Sequence, residues 1–357
     1  MSSIKLKVGI IGVTGLVGKK ILEFIDDELM RREIKVCASN SNVGSVISVN
    51  SHEYILEKLC HDFFENLDVV FFCADDDTSI RWAPVALNYR LFVIDSSSAF
   101  RTNNNVNLII PEINGHLLKE IAMDKTNSKN KICNIVASPN CCATLLCMIL
   151  YPLTKLSNIT RVDVDTYQAV SGAGIRGIEE LEKQTTQYCM NEKIETNIFK
   201  SQIYGNCFSH NSKIDETTKF CEEELKISFE TKKIIPTISE ISATCVRIPV
   251  YTSHSESVKI VFENSVDEKD IFDSLNNFSG VTVINDNESN KFPEPIIASD
   301  NTDVFVGRIR RDLYDTEKKI YKLFICGDQL LKGASWNSFQ IFKTYEKYFR
   351  EINDASD

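Results

Sequence analysis

The segment Ser138-Pro139-Asn140-Cys141-Cys142-Ala143-Thr144 has the makings of a nucleophile. Pro139 ends an apolar run, Asn140 is a good helix N-cap, and Cys141 then falls in the first helical turn. Unpaired amides and the helix dipole stabilise an anion there, so the thiol ionises more readily, and the same amides could hold an oxyanion. From the residues alone a buried cysteine pair at a helix start is an equal reading, and Cys142, about 100° further round the helix, is a competitor. Other positions carry groups that thiol chemistry needs. Gln168 ends an alternating strand just before Ser171-Gly172-Ala173-Gly174, as a site residue or a surface glutamine. Arg247 stands inside an apolar strand, where its planar fork calls for a carboxylate, from a ligand or from a structural ion pair. His254, in the loop Ser253 to Ser257, is the best placed of the five histidines for acid–base work, or is simply solvated. On a charged helix the pairs Glu223/Lys226 and Glu230/Lys233 share a face, and plain surface ion pairs are the default for both. No Cys/His cluster has zinc-site spacing, so no metal is expected.

Gly12-Val13-Thr14-Gly15-Leu16-Val17-Gly18 follows a strand and opens a helix. Glycines there let backbone approach a pyrophosphate while helix amides point at it, which predicts a dinucleotide site. The second strand ends in Ala38-Ser39-Asn40 with no acid to bond a ribose hydroxyl, which leans toward NADP over NAD.

These groups need a scaffold. Val8 to Gly12, a helix over Lys19 to Leu29 and Ile34 to Ala38 form a βαβ unit. Buried strands at Leu67 to Cys73, Leu91 to Asp95 and Ile132 to Val136, with a helix at Ile80 to Asn88, extend it into a parallel, doubly wound sheet. Beyond it come a helix from Cys141, a strand at Arg161 to Ala169, a helix at Gly174 to Tyr188, an irregular stretch at Asn191 to Asn211, a helix at Glu222 to Ile235, and strands at Ile241 to Tyr251, Val258 to Glu263 and Leu323 to Cys326. The expected class is α/β: a Rossmann-like dinucleotide-binding domain (residues 1–140, joined by 327–357), an α+β catalytic and dimerisation domain (141–326), and a C-terminal helix that returns to the first domain. The 357 residues, 43% of them apolar, suffice for two cores. A net charge of −10 argues against nucleic-acid or anionic-membrane partners. The absence of a long apolar run and of a signal-peptide layout predicts a soluble cytoplasmic protein, and twelve cysteines without C-x-x-C spacing fit a reducing compartment.

The order Gly-x-x-Gly-x-x-Gly, Pro139-Asn140-Cys141, Tyr167-Gln168-Ala169-Val170-Ser171-Gly172-Ala173-Gly174, Cys245-Val246-Arg247-Ile248-Pro249-Val250 and His254-Ser255-Glu256-Ser257 resembles the bacterial form of aspartate-semialdehyde dehydrogenase. Phe305 to Arg310 and Leu331 to Ser338 are similar to that family too, so the resemblance spans about Lys5 to Tyr345. It implies reduction of L-aspartyl 4-phosphate by NADPH to L-aspartate 4-semialdehyde and phosphate, on the routes to lysine, diaminopimelate, threonine, methionine and isoleucine. It also implies a homodimer. By the same resemblance Cys141 attacks the acyl phosphate, His254 is the acid/base, and Gln168 orients the acyl group. Arg247 binds the α-carboxylate, Glu223 the ammonium, and Lys226 and Arg101 the phosphate with Asn140 close by. Gly12, Thr14, Gly15, Leu16 and Val17 cradle the cofactor diphosphate. Ser41 and Asn42 lie by its ribose, and Ser171, Gly172 and Asn337 by its nicotinamide.

The chain departs from the family's pattern in three places. Asp75-Asp76-Asp77 replaces a small turn, Ser41 stands where an arginine would hold the 2′-phosphate, and Ser201 to Lys213 follows no family pattern. Rival readings are an N-acetyl-glutamyl-phosphate reductase, whose nucleophile segment reads Pro-Gly-Cys-Tyr; a non-catalytic Rossmann dimer; and a thiol sensor built on Cys141-Cys142, where a bridge between neighbours is strained.

Overall fold

In the computed structural model the described residues are 5–27, 32–38, 42–124 and 135–354. They form two units. One runs to Pro139 and resumes at Ala334; the other is Asn140 to Gly333.

The first unit is built on β1 (Val8–Ile11), α1 (Leu16–Asp26), β2 (Ile34–Cys37), β3 (Val46–Val49), β4 (His52–Glu57), β5 (Val69–Phe72), α2 (Asp76–Asn88), β6 (Phe92–Asp95), β7 (Asn107–Leu108), α3 (Pro111–Asn114), α4 (Leu117–Asp124) and β8 (Ile135–Ala137). The sheet order is β3-β4-β2-β1-β5-β6-β8-β7. β1, β5 and β6 are buried at every residue, as strands covered by helices on both faces must be. The chain leaves β1 toward β2 on one side and later fills β5 on the other, so β1 sits at the switch point where such sheets open a crevice at their strand ends. The sheet is not wholly parallel. β3, at the sheet edge, pairs antiparallel to β4, and neither was foreseen, because their largely exposed residues lack an apolar alternation.

The second unit contains α5 (Cys141–Leu153), β9 (Ile159–Gln168), α6 (Ile175–Cys189), β10 (Phe208–Ser209), α7 (Glu222–Ile234), β11 (Glu240–Arg247), β12 (His254–Phe262), α8 (Glu268–Asn276), β13 (Val281–Val283), α9 (Pro295–Ala298), β14 (Val304–Arg311) and β15 (Ile320–Gly327). Its mixed sheet has the order β10-β11-β9-β12-β15-β14-β13. β15 pairs Gly327 with His254, so the chain stays in this unit past 327 and rejoins the first at Ala334. The stretch after α6 is irregular but held. Gln184 Oε1 accepts from the amides of Ile203 and Tyr204 at 2.9 and 3.0 Å, and Glu180 accepts from that of Asn197 at 3.1 Å. Side chains one helical turn apart thus replace a strand partner for this backbone.

α10 (Trp336–Asp354) belongs to the first unit. Phe339, Phe342 and Tyr345 enter its core, and Tyr345 stacks on Phe92 at 3.9 Å between ring centroids.

Candidate active site

In the first unit a cleft of about 600 Å³ opens where β1, β2 and β5 end. Gly12, Thr14 and Gly15 line it with Ala38, Lys58 and Arg81. Gly12 has φ +83°, and a Cβ there would stand 2.5 Å from Cys73 O, so only glycine permits this turn. Gly15 caps α1 without a side-chain bond, so the amides of the first turn, Leu16 and Val17, are left for an anion. A dinucleotide diphosphate fits these groups. Two of the three aspartates are engaged by neighbouring groups. Asp75 caps α2 through the Thr78 amide at 2.9 Å, which holds its carboxyl below the usual range, and Asp76 accepts from the Ser98 amide at 2.8 Å. Asn42 sits in the turn before β3, its carbonyl receiving the Ser45 amide at 3.1 Å. Ser41 lies outside the described residues. Arg101 donates to Ser138 O and Ser96 O, each at 3.0 Å. Asn337, fully buried, donates to Ile109 O at 2.9 Å and Ser138 Oγ at 3.0 Å, which pins the strand end leading to the cysteines.

In the second unit Asn140 caps α5, its side chain accepting from Ala143 N at 3.2 Å. Cys141 is half-buried and Cys142 fully buried. The Cys142 thiol bonded to Cys141, aided by His254, holds Cys141 well below the usual thiol range against burial and the charge of Glu223. Burial above all pushes Cys142 far up. The two neighbours are therefore pushed in opposite directions: Cys141 ionises more readily than an ordinary thiol, and Cys142 less readily.

His254 is not in a loop. It is the first residue of β12, fully buried, and its Nδ1 accepts from the Ala169 amide at 3.0 Å. An amide can only donate, so the ring proton sits on Nε2. Cys141, Cys142 and His254 place two sulfurs and a ring nitrogen within 4.8 Å of one another, close enough for metal ligands. A metal-bound imidazole, however, donates its other N–H to an acceptor. His254 does the reverse, which leaves Nε2 protonated and with no lone pair for a metal.

Arg247 is 3% exposed and makes no ion pair with a carboxylate among the described residues, so the structural alternative falls away. Nη1 donates to Ala169 O at 2.5 Å, and Nε has no partner. A Cβ on Gly172 would lie 3.0 Å from Arg247 Nη1 and 3.3 Å from His254 Nε2, so this glycine keeps the space between them open. Gln329, which no sequence signal marked, donates to Ser171 Oγ and accepts the Ser253 amide at 2.7 Å, bracing the approach to His254. Gln168 donates to Cys142 Sγ at 3.1 Å and to Glu223 Oε1 at 3.2 Å; Asn140 Nδ2 donates to the same oxygen at 2.9 Å. Glu223 is held below the usual carboxylate range although burial opposes it, by His210, Asn140, Lys226 and Gln168.

Two carboxylates were misread or missed. Glu230, expected as a surface ion pair, is 1% exposed and accepts the Asn140 amide at 2.6 Å. Helical spacing places residues on a face but does not say which face is buried. Glu256, fully buried on β12, has its pKa pushed above the usual carboxylate range, by burial first and then by Cys141.

The family models for the semialdehyde dehydrogenase NAD-binding domain and dimerisation domain match residues 7–121 and 150–332. The chain is 35% identical to the aspartate-semialdehyde dehydrogenase of Prochlorococcus marinus, over 94% of each chain. It is 37% identical to that of Helicobacter pylori, over 95% of this chain and 98% of the relative.

The chain belongs to the aspartate-semialdehyde dehydrogenase family.

A solved Vibrio cholerae aspartate-semialdehyde dehydrogenase II, complexed with ASA, matches with a TM-score of 0.87 and 30% identity, covering 97% of this chain and 99% of that one. Membership makes the chain an α/β oxidoreductase with an NAD-binding domain, and sets the glutamyl-phosphate and non-catalytic alternatives aside. No helix among the described residues is long and apolar enough to cross a membrane.

Proposed function

We propose that this chain catalyses the NADPH-dependent reductive dephosphorylation of L-aspartyl 4-phosphate to L-aspartate 4-semialdehyde, serving lysine, diaminopimelate, threonine, methionine and isoleucine synthesis in the cytoplasm as a homodimer. The observation that carries this reading is a buried arginine with no ion pair among the described residues and an unpartnered Nε–H, in the unit that holds a readily ionised thiol and an Nε2-protonated histidine. A bound anion would satisfy its free N–H groups and offset the cost of burying its charge.

Arg247 takes the α-carboxylate and Glu223 the ammonium group. Lys226 and Arg101 take the phosphate. Cys141 attacks the acyl carbon, and the bond from that carbon to the phosphate oxygen breaks, leaving a thioester. Gln168 and Asn140 hold Glu223 and the cysteine pair in place. The amides of α1, with Thr14 and Gly15, hold the NADPH diphosphate, and the bound cofactor supplies hydride to the acyl carbon. His254 gives its Nε2 proton to the oxygen on that carbon and takes it back as the carbon–sulfur bond breaks, which frees the aldehyde and restores the thiolate.

The test is NADP reduction by L-aspartate semialdehyde with and without inorganic phosphate. Phosphate-dependent reduction is expected, abolished in Cys141→Ala and retained in Cys142→Ala. Activity that ignores phosphate, or a dead Cys142→Ala beside an active Cys141→Ala, overturns the reading.

A further inference from the structure

His210 belongs to none of the motifs that carry the resemblance, yet the fold brings its ring to the buried arginine. β10 pairs Phe208 with Arg247, and the His210 amide donates to Cys245 O at 2.8 Å. The two side chains therefore leave paired backbone together, and Arg247 Nη2 meets His210 Nε2 at 2.8 Å. A guanidinium has no lone pair, so it donates and Nε2 accepts. With Nε2 accepting, the ring proton of His210 sits on Nδ1, 3.1 Å from Ser212 Oγ, which in turn accepts the Glu223 amide at 3.3 Å. The Ser212 amide also faces Nδ1, at 3.3 Å, a longer contact than the 2.8 Å one from the charged Arg247 that decides the tautomer. The Phe199 ring lies 5.8 Å from the guanidinium carbon. Arg247 is thus oriented by two acceptors, Ala169 O on Nη1 and His210 on Nη2. This leaves Nε–H and one N–H on each terminal nitrogen for a ligand.

We propose that His210 is a positioning residue for the substrate carboxylate: as an acceptor at Nε2 it sets the plane in which Arg247 presents its remaining N–H groups. The inference rests on the reading of Arg247 as the carboxylate site. Ala169 O is a main-chain acceptor at every pH, whereas the ring accepts only while Nε2 is unprotonated. The titratable and charged groups that face His210 are Glu223 on α7, Cys141 on α5, Arg247 on β11 and His254 on β12. Burial is the largest influence and lowers the ring's pKa from the usual imidazole value; Glu223 and Cys141 oppose it, while Arg247 and His254 add to it. Below that point the ring has no lone pair for Arg247 and places a like charge beside it, so carboxylate affinity falls as pH falls.

The experiment measures KM and kcat for L-aspartate semialdehyde, at fixed phosphate and NADP, across the acid range in the full-length enzyme. His210→Leu removes the acceptor, and His210→Gln supplies an amide oxygen near the Nε2 position that does not titrate. KM is expected to rise about 10-fold in His210→Leu, the loss of one hydrogen bond to a charged group, with kcat little changed. His210→Gln is expected to recover most of the affinity and to lack the wild-type rise in KM on acidification. An unchanged KM in His210→Leu, or the same acid-side rise in His210→Gln, overturns the proposal. Arg247→Lys separates the layers: if it leaves KM intact the carboxylate reading itself fails, and if it raises KM while His210→Leu does not, only the role of His210 fails.

Discussion

The main-chain amide of Ala169 donates to Nδ1 of His254 at 3.0 Å, and this one bond decides which ring nitrogen carries the proton. The histidine is thereby a proton donor at Nε2 and a poor metal ligand, although two cysteine sulfurs stand close by. His254→Gln keeps a polar group in reach but cannot shuttle a proton. Its kcat is expected to fall by about 10²- to 10⁴-fold, the usual worth of a positioned acid/base. Steady-state kinetics on a variant with wild-type circular dichroism checks this, and a loss under 10-fold would remove the histidine from the proton path.

Cys141 should react with iodoacetamide well below the pH at which an ordinary thiol does. The sign follows from the depressed pKa: as pH falls, the thiolate, and with it the alkylation rate, survives to a lower pH than in a free cysteine. Since the Cys142 thiol is the largest stabilising influence, Cys142→Ala should move the midpoint upward. Mass-spectrometric mapping of the alkylated peptide against pH reads both. Preferential labelling of Cys142 would reverse the assignment.

Glu230 receives the buried Asn140 amide at 2.6 Å, and Asn140 caps the helix that bears the nucleophile. Glu230→Leu leaves that amide unsatisfied, at an expected loss of about 1–3 kcal/mol in unfolding free energy. Glu230→Gln retains an acceptor and should lose less. Denaturant unfolding of both variants makes the comparison; equal losses would show that the side chain's charge matters more than its bond.

A Cβ on Gly333 would fall 2.8 Å from Cys141 Cβ and 3.2 Å from its Cα. Neither neighbour is a flexible chain end, so in Gly333→Ala backbone on one side of the contact must shift, and a shift on the Cys141 side moves the nucleophile. A displacement approaching 1 Å lowers kcat about 100-fold while stability changes less steeply. Single-turnover thioester formation is the measurement, and a wild-type rate in Gly333→Ala would mean that the turn after β15 yields instead.

Lys58, next after β4, and Arg81, on α2, line the cleft at the ends of β1, β2 and β5. With serine at position 41, these are cations within the cleft that could favour a 2′-phosphate. Lys58→Ala and Arg81→Ala should weaken NADPH binding about 10-fold each relative to NADH, as judged by fluorescence titration without substrate. Equal effects on both cofactors would place the 2′-phosphate elsewhere.

The strand–turn–helix at Gly12 to Gly18 and the cap–cysteine order at Asn140-Cys141 were legible because each rests on local chemistry: glycine at a positive φ, an amide-binding side chain ahead of a helix. The alternation that marked β9 likewise placed Gln168 at a strand end. Three matters were not local. The chain order says nothing about which of two adjacent thiols is buried. Cys142 is fully buried, and its thiol, with the nearby imidazole, lowers the pKa of Cys141 from the usual thiol value, which favours Cys141 as the thiolate. Glu230 looked like a surface charge because helical spacing is blind to what covers the face, and the Asn140 amide covers it. His210 was invisible because its partner is 37 residues away, brought alongside by a two-residue strand with no periodicity to read. Local sequence determined that β1 runs into a glycine turn, that a cysteine opens α5 and that Gln168 ends β9. Only the folded chain decided the protonation of the site's groups, because desolvation and hydrogen-bond partners come from residues distant in sequence.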